Sequence, residues 1–292
     1  MKTQEILSTY GLDFRIEKAP MFAMNAAGEQ VPSPYFGLIN SKSNEVINTV
    51  KEGYAVSQND EVVELVLGGM SKFGSELSVS KAGSLNGGRK VFLQLGIEGD
   101  GIVGNDRIKR YVTVIDSNDG STSLSIGIGD LTMSCQNQFW KFYKAGEAKF
   151  RHTATLTEKM RSIPYLIETA LSESMRQIER YKRYVSTPVT KELADRMVKE
   201  VLGYDRVYTS MEVLSKKSSR AINQMDKLYA QIEREMADKG NNVWGLHSGV
   251  TRFTTYDLSA PKRENGKIES GLIGGAYKMN QKSLSFADTL VM

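Results

Sequence analysis

The chain has 292 residues, 40% hydrophobic, 25% charged and 9% aromatic, with a net charge of +4, the proportions of a globular protein rather than a disordered or fibrous one. No apolar run approaches the ~20 residues that cross a bilayer. The opening MKTQEILSTYGLDF also lacks a basic region followed by an apolar one, so a cytoplasmic location without membrane contact is expected. The single cysteine, Cys135, excludes an internal disulfide framework, and with His152 and His247 as the two histidines a multi-histidine zinc site is not expected.

In chain order, Pro32 and Pro34 read as breaks, and DEVVELVLGGM (residues 60–70) carries Val62, Val63, Val66 and Leu67 at helical spacing. The pattern predicts one short helix that stops at Gly68-Gly69. From Glu76 onward the runs SELSVSKAG, RKVFLQLGIEG, RIKRYVTVIDS and STSLSIGIGDLTMS alternate or are β-branched, and SLNGG, GDGIVGND and NDG separate them. Such punctuation predicts consecutive antiparallel hairpins, a meander of about four strands. Val91, Leu93 and Leu95 share one face of their strand and Lys90, Phe92 and Gln94 the other; Ile108, Arg110, Val112 and Val114 alternate with Lys109, Tyr111 and Thr113. One face of the sheet is therefore expected to be apolar, and the other mixed polar, basic and aromatic.

After the sheet the period changes from two residues to 3.6. Residues 135–143 read as a short helix, and Thr155 with Glu158 reads as a capping box opening a long one. Its apolar stripe comprises Met160, Ile163, Ile167, Leu171, Met175, Ile178 and Tyr181. Thr187-Pro188 reads as an N-cap with a first-turn proline, opening a helix that Gly203 ends. A further helix is predicted over residues 210–239. The stretch NVWGLHSGVTRFTTYD and the glycine-rich end after it carry only weak patterning. The fold expected is α+β, an antiparallel meander followed by and packed against long helices. Three segments, 1–75, 76–185 and 186–292, are expected to make one continuous globular unit.

Gly99, Gly101 and Gly104 spell G-x-G-x-x-G, but the next residues read as a strand, whereas a dinucleotide site needs a helix there; a plain hairpin loop is the reading. Cys135 with His152 could be a nucleophile and its base, against a cysteine that fills space at a junction. Asp100, Asp106, Asp116, Asp119 and Asp130 lie near strand ends, where they could gather magnesium or simply serve turns. Turns are the better account, so no metal, cofactor or catalytic residue is expected.

Charge is distributed unevenly. Residues 1–100 carry nine basic and twelve acidic side chains, whereas residues 141–183 carry ten basic and five acidic. Arg89 and Lys90 begin one strand, and Arg107, Lys109, Arg110 and Tyr111 begin its neighbour. Lys141, Lys144, Lys149, Arg151 and His152 follow the sheet, and Lys159 and Arg161 open the long helix. Cations that release counterions from phosphates, beside aromatic rings on which bases stack, are what single-stranded nucleic acid requires.

The element DSNDGS at residues 116–121, followed by a strand and then Cys135-Gln136-Asn137, resembles the family grouped as domain of unknown function 932. YAVSQNDEVVELV (residues 54–66), GGRKVFLQL and NVWGLHSGVTRFTTYD are similar to further family elements, with His247-Ser248 departing from the usual asparagine-containing step. The resemblance implies an origin in phage or mobile elements. The strands-then-long-helix order is also similar in architecture to Rad-fifty-two-type single-strand annealing recombinases. That likeness implies a homo-oligomer, ring or filament, that binds single-stranded DNA and anneals complementary strands without covalent chemistry. The competing expectation is a phage protein that inhibits or decoys a host defence system by binding a protein.

Overall fold

Nine helices and two sheets are formed by the residues that the structure, a computed structural model, describes: 2–71, 78–132, 137–142, 149–204, 219–260, 262 and 266–291. The antiparallel strands with separate helices make an α+β fold, as expected. Residues 3–50, where no periodicity stands out, form α1 (Thr3–Thr9) and a three-stranded sheet of β1 (Ile16–Met24), β2 (Gln30–Asn40) and β3 (Glu45–Val50). β1 pairs antiparallel with β2 from Ile16↔Asn40 to Met24↔Gln30, whereas β3 pairs with β2 only from Phe36 onward. Pro32 and Pro34 are thus inside β2 rather than breaks, where the strand pairs on one side and a missing N–H is tolerated. The predicted short helix is α2 (Asn59–Ser71), and it runs through Gly68 and Gly69. A Cβ on Gly69 would lie 2.9 Å from Pro164 Cα and from Ile167 Cβ, so the glycine serves close helix approach rather than termination.

The second sheet contains β4 (Ser78–Leu85), β5 (Lys90–Val103), β6 (Asp106–Ser117), β7 (Leu124–Thr132) and β8 (Asn137–Phe142) in that order, with β9 (Lys149–Phe150) on β7. The first four are the expected meander. β5 continues through the G-x-G-x-x-G stretch and turns at Gly104-Asn105, and a Cβ on Gly101 would meet Ile178 Cδ1 at 2.3 Å. β8 replaces the expected helix over residues 135–143, because NQFWKF is short, aromatic and suited to a pleated surface. The single apolar face is also corrected. Lys90, Phe92 and Gln94 are as buried as Leu93 and Leu95, so both faces of β5 are covered there.

Helices complete the chain: α3 (Leu156–Met160), α4 (Ile163–Ser186), α5 (Lys191–Leu202), α6 (Ser219–Lys239), α7 (Val243–Tyr256), α8 (Gly266–Leu272) and α9 (Gly275–Val291). The long helix is interrupted after Met160, since Pro164 has no N–H for the Met160 carbonyl. Thr155 forms no capping hydrogen bond; its hydroxyl lies 3.2 Å from that of Thr153. Of the apolar stripe, Met175 is exposed while the rest is buried. The N-cap of α5 is Thr190, accepting from Leu193 N at 3.4 Å, and Pro188 instead joins a bridge to Asn242. Gly203 ends α5 at φ 76°, as expected. Residues 205–218, including part of the predicted helix at 210–239, lie outside the described residues. The weakly patterned end is helical, as α7, α8 and α9. No helix among the described residues is long and apolar enough to cross a membrane.

The chain divides into two compact units, one of residues 1–98, 111–128 and 142–172, the other of 99–110, 129–141 and 173–292. The first contains a core of Val62, Val66, Leu95, Val112, Leu124 and Ile167 among others, and a smaller one around Phe14, Leu38 and Ile47. The second is built on Tyr181, Met197, Leu228, Trp244, Val250 and Phe253.

A buried aspartate and histidine as the candidate functional site

Two of the recognised sequence elements meet in the first unit. Residues 54–59, which lead into α2 and open it, supply Gln58 and Asn59. Gln58 accepts from Ile16 N at 3.1 Å and donates to Ile16 O at 2.9 Å, while Asn59 Nδ2 donates to the carbonyls of Leu12 and Phe14. These amides clip the entry to β1. The DSNDGS element ends β6 and turns the chain. Ser117 Oγ donates to Thr122 O at 2.6 Å and accepts from Thr122 N at 2.9 Å, and Asp119 Oδ1 accepts from Ser121 N. Gly120, at φ 72°, takes the left-handed position. Asn118 is joined to the β4–β5 turn, its N–H donating to Arg89 O and its Nδ2 to Gly88 O.

Asp116 lies where the two elements touch. Its Oδ2 accepts from Ser57 Oγ, and its Oδ1 accepts from Ser117 N at 2.8 Å and faces His152 Nε2 at 2.9 Å. The other imidazole nitrogen, Nδ1, lies 2.9 Å from Ala55 O, and Ala55 N donates back to His152 O at 3.3 Å. The Tyr54 ring stacks on the imidazole at 4.9 Å with 1° between planes. Both members of the pair are about 5% exposed. Burial pushes the imidazole pKa down, but the hydrogen bond and charge of Asp116 outweigh it, and the net shift is upward. Burial, with Asp116 and Asp119 beside it, raises the Tyr54 phenol. A cavity of about 20 Å³, bordered by Asp116, Asn59, Val63 and Leu93, has room for about one water and none for a substrate.

The order Ser–Asp–His is not a hydrolytic relay. The serine hydroxyl is bonded to the carboxylate rather than to the imidazole, so no base is positioned to activate it. Both imidazole nitrogens are engaged in holding chain segments together. Cys135, the imagined nucleophile for His152, lies outside the described residues.

The basic residues divide by burial. Lys149, Arg151, Lys159 and Arg161 of the first unit are exposed. Arg89 is exposed too, with its guanidinium donating to Ile47 O. Lys90 is buried, 3.6 Å from Asp119, whose carboxyl is held low by Ser121 and Lys90 against its burial. In the second unit Arg107 and Lys109 are exposed and alternate with buried Ile108 and Arg110. Arg110 donates to Gly99 O at 2.8 Å and to Ser174 Oγ at 3.2 Å. Lys90, Arg110, Tyr111 and His152, expected to meet nucleic acid, are inside: the sheet is covered where the first three sit, and the His152 ring, just after β9, is held between Asp116 and Ala55. The side chains of Lys141 and Lys144 lie outside the described residues.

In the second unit, the element NVWGLHSGVTRFTTYD is packing machinery. Trp244 Nε1 donates to Asp106 Oδ2 at 2.8 Å, and Lys239 Nζ lies 2.9 Å from the same carboxylate. Lys239 and Arg252 both pair with Glu235. Trp244, Tyr181, Tyr184 and His247 form a cluster of rings, with Tyr181 donating to Asp130 and Tyr184 to Asp288. Burial pushes His247 down to about 4. The strand-end aspartates are thus tied to separate partners, and among the described residues no group of three or more His, Cys, Asp or Glu could hold a metal ion. The side chain of Asp100 is not among those described.

The family model described as Domain of unknown function (DUF932) matches residues 46–268. No curated protein and no solved structure matches the chain.

Proposed function

We propose that this chain, which belongs to the DUF932 family, binds single-stranded DNA and promotes annealing of complementary strands, acting as an oligomer without covalent chemistry. The observation that carries the reading is the exposed set Lys149, Arg151, Lys159 and Arg161, followed four residues on by Tyr165, which is 65% exposed. Phosphates are met by such cations, and a ring open to solvent offers a base somewhere to stack. Tyr165 takes the stacking part expected of Tyr111, which is buried. Glu158 lies within this set and Glu168 just beyond it, so affinity rests on four local contacts rather than on a strong field. An origin in a phage or mobile element belongs to the same proposal and rests on the motif resemblance.

The test is fluorescence anisotropy with a labelled oligothymidine. Replacing Lys149, Arg151, Lys159 and Arg161 together by alanine lowers affinity by at least about tenfold and reduces the log–log salt slope by about 3. Equal affinity at every salt concentration overturns the reading.

A second reading, a protein that inhibits or decoys a host defence system, draws on a different observation. The β1–β2 hairpin exposes Phe22 and Met24 on one face and Val31 on the other, with Tyr35 exposed further along β2, and exposed apolar side chains of this kind mark protein-binding surfaces. A host protein retained at equal stoichiometry after nuclease treatment, and lost with Phe22→Ser and Val31→Ser, favours it over DNA binding.

A further inference from the structure

We propose that Asp116 and His152 form a proton-operated latch, which fastens residues 54–57 and 149–153 to the end of β6 while the imidazole carries both protons and releases them when it loses one. The latch stands independently of the DNA reading. Its argument begins with Ala55 O, which can only accept, so the Nδ1 facing it at 2.9 Å carries a hydrogen. Nε2 faces a carboxylate oxygen that already accepts from Ser117 N, and the 2.9 Å separation is a hydrogen bond when Nε2 also carries one. A ring with two N–H groups is an imidazolium. The carboxylate balances its charge, and the Tyr54 face stacked on it favours a cation.

Removing one proton breaks one of the two ties. If Nδ1 keeps its hydrogen, two acceptors confront each other inside the protein; if Nε2 keeps it, Ala55 O loses its side-chain donor. The latch acts beside a few other ties among the described residues. β9 is two residues long, paired through Leu124↔Phe150 and Ser125↔Lys149, with Phe150 buried in the core; Ala55 N donates to His152 O, and Tyr54 Oη donates to Ser117 O at 3.3 Å.

Other charged and titratable groups surround the site. β6 supplies Asp116, the turn after it Asp119, β5 Lys90, and β1 Lys18, whose Nζ donates to the carbonyls of Glu52 and Tyr54. Arg151 is next to the histidine in sequence and exposed. Tyr54 is held above, and Asp119 below, their ordinary ranges. Both therefore keep one charge state through neutral pH, while the raised imidazole changes its own above the ordinary histidine value.

The full chain tests this without mutation, because it has two histidines and His247, held down to about 4, does not titrate near neutral pH. NMR titration is expected to show the second imidazole titrating above the ordinary histidine value. Hydrogen exchange of peptides covering residues 53–58 and 149–155, corrected for intrinsic base catalysis, reports opening. The opening constant rises by up to about tenfold per pH unit between the ordinary and the raised value and then levels off. A control peptide from α7 keeps constant protection. Asp116→Asn brings the imidazole back to or below its ordinary value and leaves both segments weakly protected at every pH. If that variant does not fold, the wild-type titration decides alone. An imidazole that titrates at or below 6.5, or protection of the two segments unchanged from pH 6 to pH 9, overturns the latch.

Discussion

Asp116 shows how much one side chain can join. Ser57, the Ser117 N–H and His152 converge on its two oxygens, so Asp116→Ala strands three buried donors. The expected cost is about 3–5 kcal/mol, read from urea denaturation. Lys239 occupies the same position in the other unit, between Asp106 and Glu235, and Lys239→Met leaves two buried carboxylates without that cation, at a similar cost. The two histidines set opposite pH limits. His247 has a folded value of about 4 against an ordinary 6.5, so its contribution is full above pH 6.5 and is lost as pH falls toward 4. That loss is on the order of 3 kcal/mol. His152 is raised, so its contribution is full below the ordinary value and fades as pH rises through the raised one. Melting temperature against pH therefore falls on both sides, and His247→Leu flattens the acid limb alone.

Among the elements, neighbouring glycines in α2 carry opposite expectations. A Cβ on Gly68 meets nothing within 4 Å, whereas one on Gly69 is driven into Pro164 and Ile167. Gly68→Ala stabilises by about 0.5–1 kcal/mol and Gly69→Ala destabilises by about 1–3 kcal/mol, both read from the denaturation midpoint. The same close approach operates where α7 crosses α6, since a Cβ on Gly249 would be 2.4 Å from Ile232 Cα. In sequence these glycines are identical to helix stops, and Gly68-Gly69 was expected to be one. Strands were easier to see. Alternation and turn residues exposed the meander from β4 to β7, because a half-buried ladder imposes period two on its side chains. The first sheet escaped because much of β1 and β2 is solvent-exposed and carries no alternation. The helical end escaped because α7 is buried almost all round and so lacks a polar stripe.

At the scale of the molecule, two compact units each own a core, and segments far apart in sequence build each of them. The exposed tip of the β1–β2 hairpin, residues 22–31, adds little to either. Phe22→Ser with Val31→Ser is expected to shift the unfolding free energy by less than about 0.5 kcal/mol, while lowering the chain's tendency to associate, read by light scattering. Composition and period sufficed for the fold class, the meander, the stop at Gly203 and the stretch where cations concentrate, since these depend on residues close together in the chain. They could not tell which cations face solvent. Lys109 and Arg110 are adjacent and chemically alike, yet one is exposed and the other is buried against Gly99 O and Ser174. Nor could they join Ser57, Asp116 and His152, which nearly a hundred residues of chain separate. Burial and hydrogen-bond partnership are properties of the packed chain, so only the tertiary structure decided that these three residues meet and that the carboxylate stands between the hydroxyl and the imidazole.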